Sequence, residues 1–234
     1  MAKKYVSNKD ETVRIFKNDF FEKFSHVHPT VPHIIFIPVT LAMLYWSYRL
    51  GVTGWQAVGL FAAGFAIWTF TEYLVHRFVF HTKEEIMEEV TRVVGEAGPG
   101  EPTFSRLKGF RQKFYFLAHG VHHDWPNDSK RLVMPPIISV PLGVFFYFLF
   151  RFAFGADVAP AMFAGMVVGY LIYDTTHYAV HHWRLHGRIT LYLKKHHYRH
   201  HYQNPKKDYG VSSPFWDMVF GTWGRGGEAA EPQA

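Results

Sequence analysis

Four long apolar stretches constrain this chain more than any other feature: "HIIFIPVTLAMLYWSY" over His33–Tyr48, "WQAVGLFAAGFAIWTFTEYLV" over Trp55–Val75, a third over Pro136–Phe154 and a fourth over Val158–Val180. Each approaches the ~20 residues an α-helix needs to cross a bilayer. Two buried hairpins in a soluble core are the competing reading; segment length and the Trp and Tyr at the ends favour crossing. A few residues around Gly51 join the first pair, and "GAD" near Gly155 joins the second, so both pairs close as tight antiparallel hairpins. The N-terminus, the middle stretch and the C-terminus then share one side. Of 25 Lys and Arg, only Arg49 and Arg151 sit at the hairpin tips, which makes the shared side cytoplasmic.

The expected architecture is an all-α integral membrane protein, with four transmembrane helices in two hairpins under a cytosolic helical cap. A cytosolic segment covers 1–32, the first hairpin 33–75 and the second 136–180; the cap comprises 76–135 and 181–222, and 223–234 is a disordered tail. Both termini are expected in the cytoplasm, on a bacterial inner membrane or the endoplasmic reticulum. The charged start "MAKKYVSNKDETVRIFKNDFFEKF" lacks the apolar core of a secretory signal, so no cleavage is expected. In the middle stretch, Glu84–Glu96 reads as a short acidic helix and "GEAGPGEP" as a loop. In "FSRLKGFRQKFYFLAHGVHH", residues Phe104, Leu107, Phe110, Phe114, Leu117 and Val121 recur at spacings of three and four. That stripe predicts one amphipathic helix, resting on the bilayer surface or packed in the cap.

The second constraint is histidine. The chain has 16, and no Cys, which excludes disulfides and thiolate metal sites. The dense clusters are "EYLVHRFVFH", "HGVHHD", "HYAVHH" and "KKHHYRHH", all on the expected cytoplasmic side. Residues three and four apart share a helix face. His119, His122 and His123 therefore form one patch, His197, His200 and His201 another, and His177 with His181 a third. His76 and His81 are five apart, about 140° round an ideal helix. That pair needs the helix to end or loosen between them, or must serve different ions. Crowded imidazoles in a basic segment make sense if their lone pairs bind something. Ten such rings exceed the four to six ligands of one ion and point to two metals. His26, His28, His33 and His186 lie outside the pattern.

All-nitrogen ligands fit iron, copper, zinc or nickel, while a closed structural zinc site would use fewer rings. Glu72, four before His76, and Asp174, three before His177, could each accept the ring's other N–H and fix its tautomer. Asp217, and more weakly Asp124, are candidates for the same work. His182 and His196 adjoin expected ligands but project roughly 100° away, which suits a supporting role. The net charge of +6 fits anionic lipid, an acidic partner or nucleic acid; four spans and clustered imidazoles argue against nucleic acid.

With these motifs, "HGVHHDWPNDSKRLVMPP", "DTTHYAVHH" and "KKHHYRHHYQNPKKDYGVSSPFWDMVFGT", the sequence resembles the fatty acid hydroxylase/sterol desaturase superfamily of membrane di-iron enzymes, nearest its fatty-acid 2-hydroxylases. The resemblance covers about Glu72–Thr222. It implies two iron ions, replaceable by zinc in recombinant protein, dioxygen as co-substrate, and hydroxylation of a lipid acyl chain beside the carbonyl. It also implies an electron donor. Many eukaryotic relatives carry a fused cytochrome b5 domain, for which 234 residues leave no room, so a separate cytochrome b5- or ferredoxin-like protein is expected. The stretch Thr82–Lys113 is longer than its counterpart and reads as a solvated loop or a docking insertion. Hydroxylation or desaturation of a carotenoid or sterol is the alternative within the superfamily. A membrane metal-binding or transport protein is the alternative outside it, although transport would put ionisable groups at mid-bilayer.

Overall fold

A computed structural model describes residues 5–224, and every regular element among them is helical. Most of the expected tail, 225–234, lies outside the described residues.

Two long hairpins form the body. Helix α2 (Val31–Arg49) and α3 (Gly54–Val75) are joined by a turn in which Gly51 and Gly54 have φ of 84° and 56°. Helix α7 (Pro136–Phe154) and α8 (Ala159–His182) are joined at Gly155, φ 99°. A Cβ makes this left-handed backbone costly, which is why glycine ends each apolar run. Three helices are long and apolar enough to cross a membrane: α2, α3 with its continuation to Phe80, and α7. Their apolar side chains lie largely on the outside, as lipid contact requires, with Ile34, Leu41, Trp55, Val58, Phe145 and Phe152 exposed.

The fourth stretch is different. Helix α8 has 24 residues, about 36 Å of helix, but packs against α2, α3 and α7 and is buried along most of its length. Because it faces protein and not lipid, it uses Ala, Gly, Met and Tyr where a lipid-facing helix uses Leu and Phe. Its contact with α3 is set by small residues. A Cβ on Gly64 would sit 1.8 Å from the Met162 carbonyl oxygen, and one on Gly165 1.9 Å from that of Phe61. Backbones approach this closely only where side chains are missing.

A second apolar core holds the cap, where Ile15 of the N-terminal arm meets Val90, Val94, Leu107, Tyr115, Phe116, Val121 and Trp125. It corrects two sequence expectations. The acidic helix expected over Glu84–Glu96 is present as α4 (Glu84–Gly95), but the insertion around it is not merely solvated: Val90 and Val94 are fully buried while its glutamates face outward. The single amphipathic helix is also absent. Thr103–Arg106 is a 3₁₀ turn, Leu107–Gly109 is non-helical, α5 spans Phe110–Tyr115, a π-helical turn spans Phe116–Gly120, and α6 spans Val121–Asp124. The breaks split the expected stripe. Leu107 and Val121 are buried, whereas Phe110, Phe114 and Leu117 are exposed beside Arg111 and Lys113.

Replacing Gly165 with Ala should lower stability by about 3 kcal/mol or more, because backbone must move to admit the methyl group. Gly59→Ala, where a Cβ meets nothing within 4 Å, should change it little. Thermal unfolding of both variants in one detergent tests the α3–α8 contact; equal midpoints would refute it.

Candidate metal centre

Helix irregularities bring the histidines together. After Val75 the chain continues as a π-turn over His76–Phe80, in which residues five apart bond to each other. His76 and His81 therefore share a face, with ring centroids 5.1 Å apart, which resolves the mismatch of their spacing. The second π-turn, Phe116–Gly120, carries His119 and leads directly into His122 and His123 of α6. Helix α8 supplies His177 and His181 from its last turns, and α9 (Arg188–Tyr202) supplies His197, His200 and His201.

These ten rings form two groups of five. His76, His81, His119, His123 and His200 make one; His122, His177, His181, His197 and His201 make the other. Within each group, one ligand atom per residue lies within 4.8 Å of all the others. The two expected three-ring patches are thus split. His122 and His123 point about 100° apart around their helix, so His123 joins the first group and His122 the second. Likewise His200 joins the first while His197 and His201 join the second. Helices α6 and α9 therefore run between the groups and serve both.

The spacing of lone pairs fits a cation. Nε2–Nε2 distances are 3.0 Å for His76–His119, 2.9 Å for His81–His200, 2.8 Å for His122–His177, and 3.0 Å for both His181–His197 and His197–His201. Nitrogens bound at ~2.1 Å to one ion at right angles are ~3.0 Å apart, and opposite ones ~4.2 Å. Hydrogen bonds alone do not satisfy such a set, because each short N···N contact needs a proton on one ring only. His81 Nδ1, His123 Nε2, His181 Nδ1, His197 Nδ1 and His201 Nδ1 are buried with no hydrogen-bond partner. Burial, then mutual repulsion among neighbouring rings, holds His81, His119, His122, His123, His197 and His201 well below the usual imidazole range. Burial takes His200 to about 4 against a partial opposing pull from the Lys207 carbonyl. These rings are neutral at physiological pH and could serve as ligands.

What orients the rings differs from the sequence expectation. The His200 Nδ1–H donates to the Lys207 carbonyl at 2.7 Å, and that of His76 to the Tyr209 carbonyl. Both carbonyls belong to one loop, and three carboxylates clamp it. Glu72 does not touch His76; it accepts from the Val211 and Ser212 amides at 2.8 and 2.9 Å and from the Ser212 hydroxyl. Asp217 accepts from the Tyr209 and Gly210 amides at 2.9 and 2.7 Å and from the Thr222 hydroxyl at 2.7 Å. Burial alone would raise Asp217, but these bonds and the His196 ring hold it below the usual carboxylate value. His196 is fully buried and lies 3.1 Å from both Asp217 and Asp208, thereby tying the loop to α9.

Asp174 makes no bond to His177; its carboxylate faces the Tyr170 hydroxyl and the Met134 amide. His182 stacks on Tyr178 with its ring 6.5 Å from that of His181; its buried Nε2 has no hydrogen-bond partner among the described residues, and it belongs to neither group. Its 100° offset takes it out of the site altogether. Asp124 accepts from the Thr91 hydroxyl at 2.6 Å, and burial pushes it up to about 7. Sequence reading missed Asp208, which is buried at φ 59° and accepts from Arg199 Nε at 2.9 Å and the Gly224 amide at 2.7 Å. An Asp ahead of Gly210 is a turn signal that gave no hint of this role. Of the other histidines, His26 meets Arg131, His28 meets Thr30, His33 meets Thr175 at 2.9 Å, and His186 is exposed.

A helical body with apolar outer faces, ending in two five-imidazole groups, has the make-up of a membrane protein with a site able to hold metal. Residues 61–222 match the family model described as fatty acid hydroxylase. Dihydroceramide fatty acyl 2-hydroxylase FAH1 of Arabidopsis thaliana is 34% identical over 91% of this chain and 80% of its own length. Fatty acid 2-hydroxylase of Rattus norvegicus is 35% identical over 90% of this chain, which spans only 56% of that protein. The solved structure titled full length scs7p, with only its hydroxylase domain visible, aligns with a TM-score of 0.74 at 33% identity, over 94% of this chain and 74% of that one. The chain belongs to the fatty acid hydroxylase family.

Neutral burial makes metal-free stability depend on pH. The folded His200 titrates near 4 and its ordinary value is 6.5, so below 6.5 the unfolded chain binds more protons and folding weakens. Buried carboxylates such as Asp124, pushed up to about 7, work oppositely, but the lowered rings outnumber them. The melting midpoint of chelator-treated protein should be flat above about pH 6.5 and fall steadily toward pH 4; a midpoint that rises on acidification would contradict the neutral assignment.

Proposed function

We propose that this chain hydroxylates a lipid acyl chain at carbon 2, with one iron ion in each five-imidazole group. The observation that carries the reading is the pairing of two buried, all-nitrogen donor sets at the ends of lipid-facing helices. The iron pair, when bound, supplies reductive activation of dioxygen. The balance is R–H plus O2, two electrons and two protons, giving R–OH and water, with the electrons from a separate carrier. Five rings per ion leave room for about one further ligand, and no thiolate competes.

The protein's own contribution is positional. Helices α2, α3, α7 and α8 are the four spans of two hairpins, with the cap and both termini cytoplasmic; α8 crosses inside the other three. Phe110, Phe114 and Leu117 rest on the bilayer surface beside Arg111 and Lys113. An acyl tail stays among the apolar helices while its carbonyl end is held at the cap, so carbon 2 meets the centre. Burial of the ten rings keeps bulk water from the oxidising site. The names of the plant and yeast relatives, dihydroceramide fatty acyl 2-hydroxylase and ceramide very long chain fatty acid hydroxylase, favour an amide-linked acyl chain over a sterol or carotenoid.

Cells expressing the chain should accumulate 2-hydroxy acyl lipids detectable by mass spectrometry; altered sterols or carotenoids instead would overturn the reading. His122→Ala and His200→Ala, one from each group, should each abolish product and lower bound metal by about one ion per chain. His28→Ala should leave both unchanged. Zinc-loaded protein should be inactive and recover when reloaded with Fe(II).

A further inference from the structure

Between the C-terminal half of α9 and the short helix α10 (Phe215–Val219) runs a groove of about 770 Å³, bordered by Arg199, Asn204, Lys207, Met218 and Trp223. The Trp223 indole donates to the Tyr192 hydroxyl at 3.1 Å, which fixes one wall to α9. The chain segment that leads into the groove is basic. From Arg188 to Lys207 there are six Lys and Arg and not one Asp or Glu. Arg199 is paired with Asp208, and Lys206 reaches Glu84 at 2.5 Å. Lys195 and Lys207 are exposed and form no ion pair among the described residues.

The groove is also joined by a hydrogen bond to one group of rings. Lys207, on its border, supplies the carbonyl that accepts from His200 Nδ1 at 2.7 Å, and His200 Nε2 lies 2.9 Å from His81 Nε2. Tyr209, two residues on, does the same for His76. In the second group, the Nδ1 atoms of His181, His197 and His201 meet no partner. A single hydrogen bond therefore separates the exposed groove from the first group.

We propose that this groove, with Lys207 on its border and Lys195 one helical turn before Arg199 on α9, is the docking surface for an acidic one-electron carrier protein, and that electrons enter through the Lys207–His200 contact into the first five-imidazole group. The inference rests on the proposed oxygen-dependent reaction, which takes two electrons from such a carrier, each oxidised by one. Exposed charges of one sign raise the encounter rate with an oppositely charged partner and make it sensitive to salt.

The test measures binding, so it does not depend on turnover. Full-length protein in zwitterionic nanodiscs is titrated with two acidic carriers, a cytochrome b5 haem domain and a plant-type ferredoxin, and is then joined to them by a zero-length carboxyl–amine cross-linker. The expected result is salt-sensitive binding of at least one carrier, with cross-links at Lys195 and Lys207. Lys195→Glu with Lys207→Glu should weaken binding on the order of tenfold, and Lys195→Arg with Lys207→Arg should retain it. Metal content and melting midpoint report whether each variant folds; if the double reversal fails to fold, Lys195→Gln alone should still weaken binding. No binding of either carrier at low salt, cross-links confined to Lys108 and Lys113, or unchanged affinity in the reversed variant would each overturn the proposal. So would a reversed variant that binds carriers normally but loses affinity for anionic vesicles, since the patch would then serve lipid head groups. Carrier binding without 2-hydroxy product would sink the proposed reaction and leave the groove standing; product made with a chemical reductant but no carrier binding would do the reverse.

Discussion

Ten imidazoles with lone pairs turned inward at about 3 Å are the constraint to which the rest of the molecule answers. Neutral rings at that distance repel through their lone pairs, and protonated rings would repel far more in a buried setting. A cation at the centre of each group turns the same geometry into attraction. Burial then assists, because it keeps the rings unprotonated and available as ligands.

Holding such a set calls for departures from regular helix. An α-helix puts residues five apart on different sides, so His76 and His81 join one group only because the helix winds as a π-turn between them. A second π-turn precedes His122 and His123. The Lys207–Ser212 loop is equally specialised: its carbonyls face rings of the first group, and Glu72, Asp208 and Asp217 take its amides or anchor its ends. The carboxylates act one step further out than direct carboxylate–imidazole contact would place them. Backbone carbonyls suit this task because they carry no charge into the buried site.

The helical body links the centre to lipid. Helices α2, α3 and α7 carry their apolar side chains outward, while α8 lies among them and presents Tyr170, Tyr173, Asp174 and His177 to the interior. Glycines at the α3–α8 contact let those backbones touch, and that closeness carries the ends of both helices, and so His76 and His177, toward one site.

Much of this was legible in the residues. Helical spacing picked out all ten clustered rings, because i, i+3 and i+4 periodicity is a local property; their number called for two ions, and the apolar runs located the four long helices. How the rings divide was not legible, since residues 100° apart on one helix join different groups only once their neighbours are in place. The Glu72 and Asp208 contacts span 139 and 16 residues, and no local pattern encodes a partner so distant. Nor did the stripe from Phe104 to Val121 foretell its breaks, because Tyr115, Phe116 and Val121 answer to a core built with Ile15 and Val90. Local chemistry chose the rings; long-range packing decided which ring joins which group, and what holds it there.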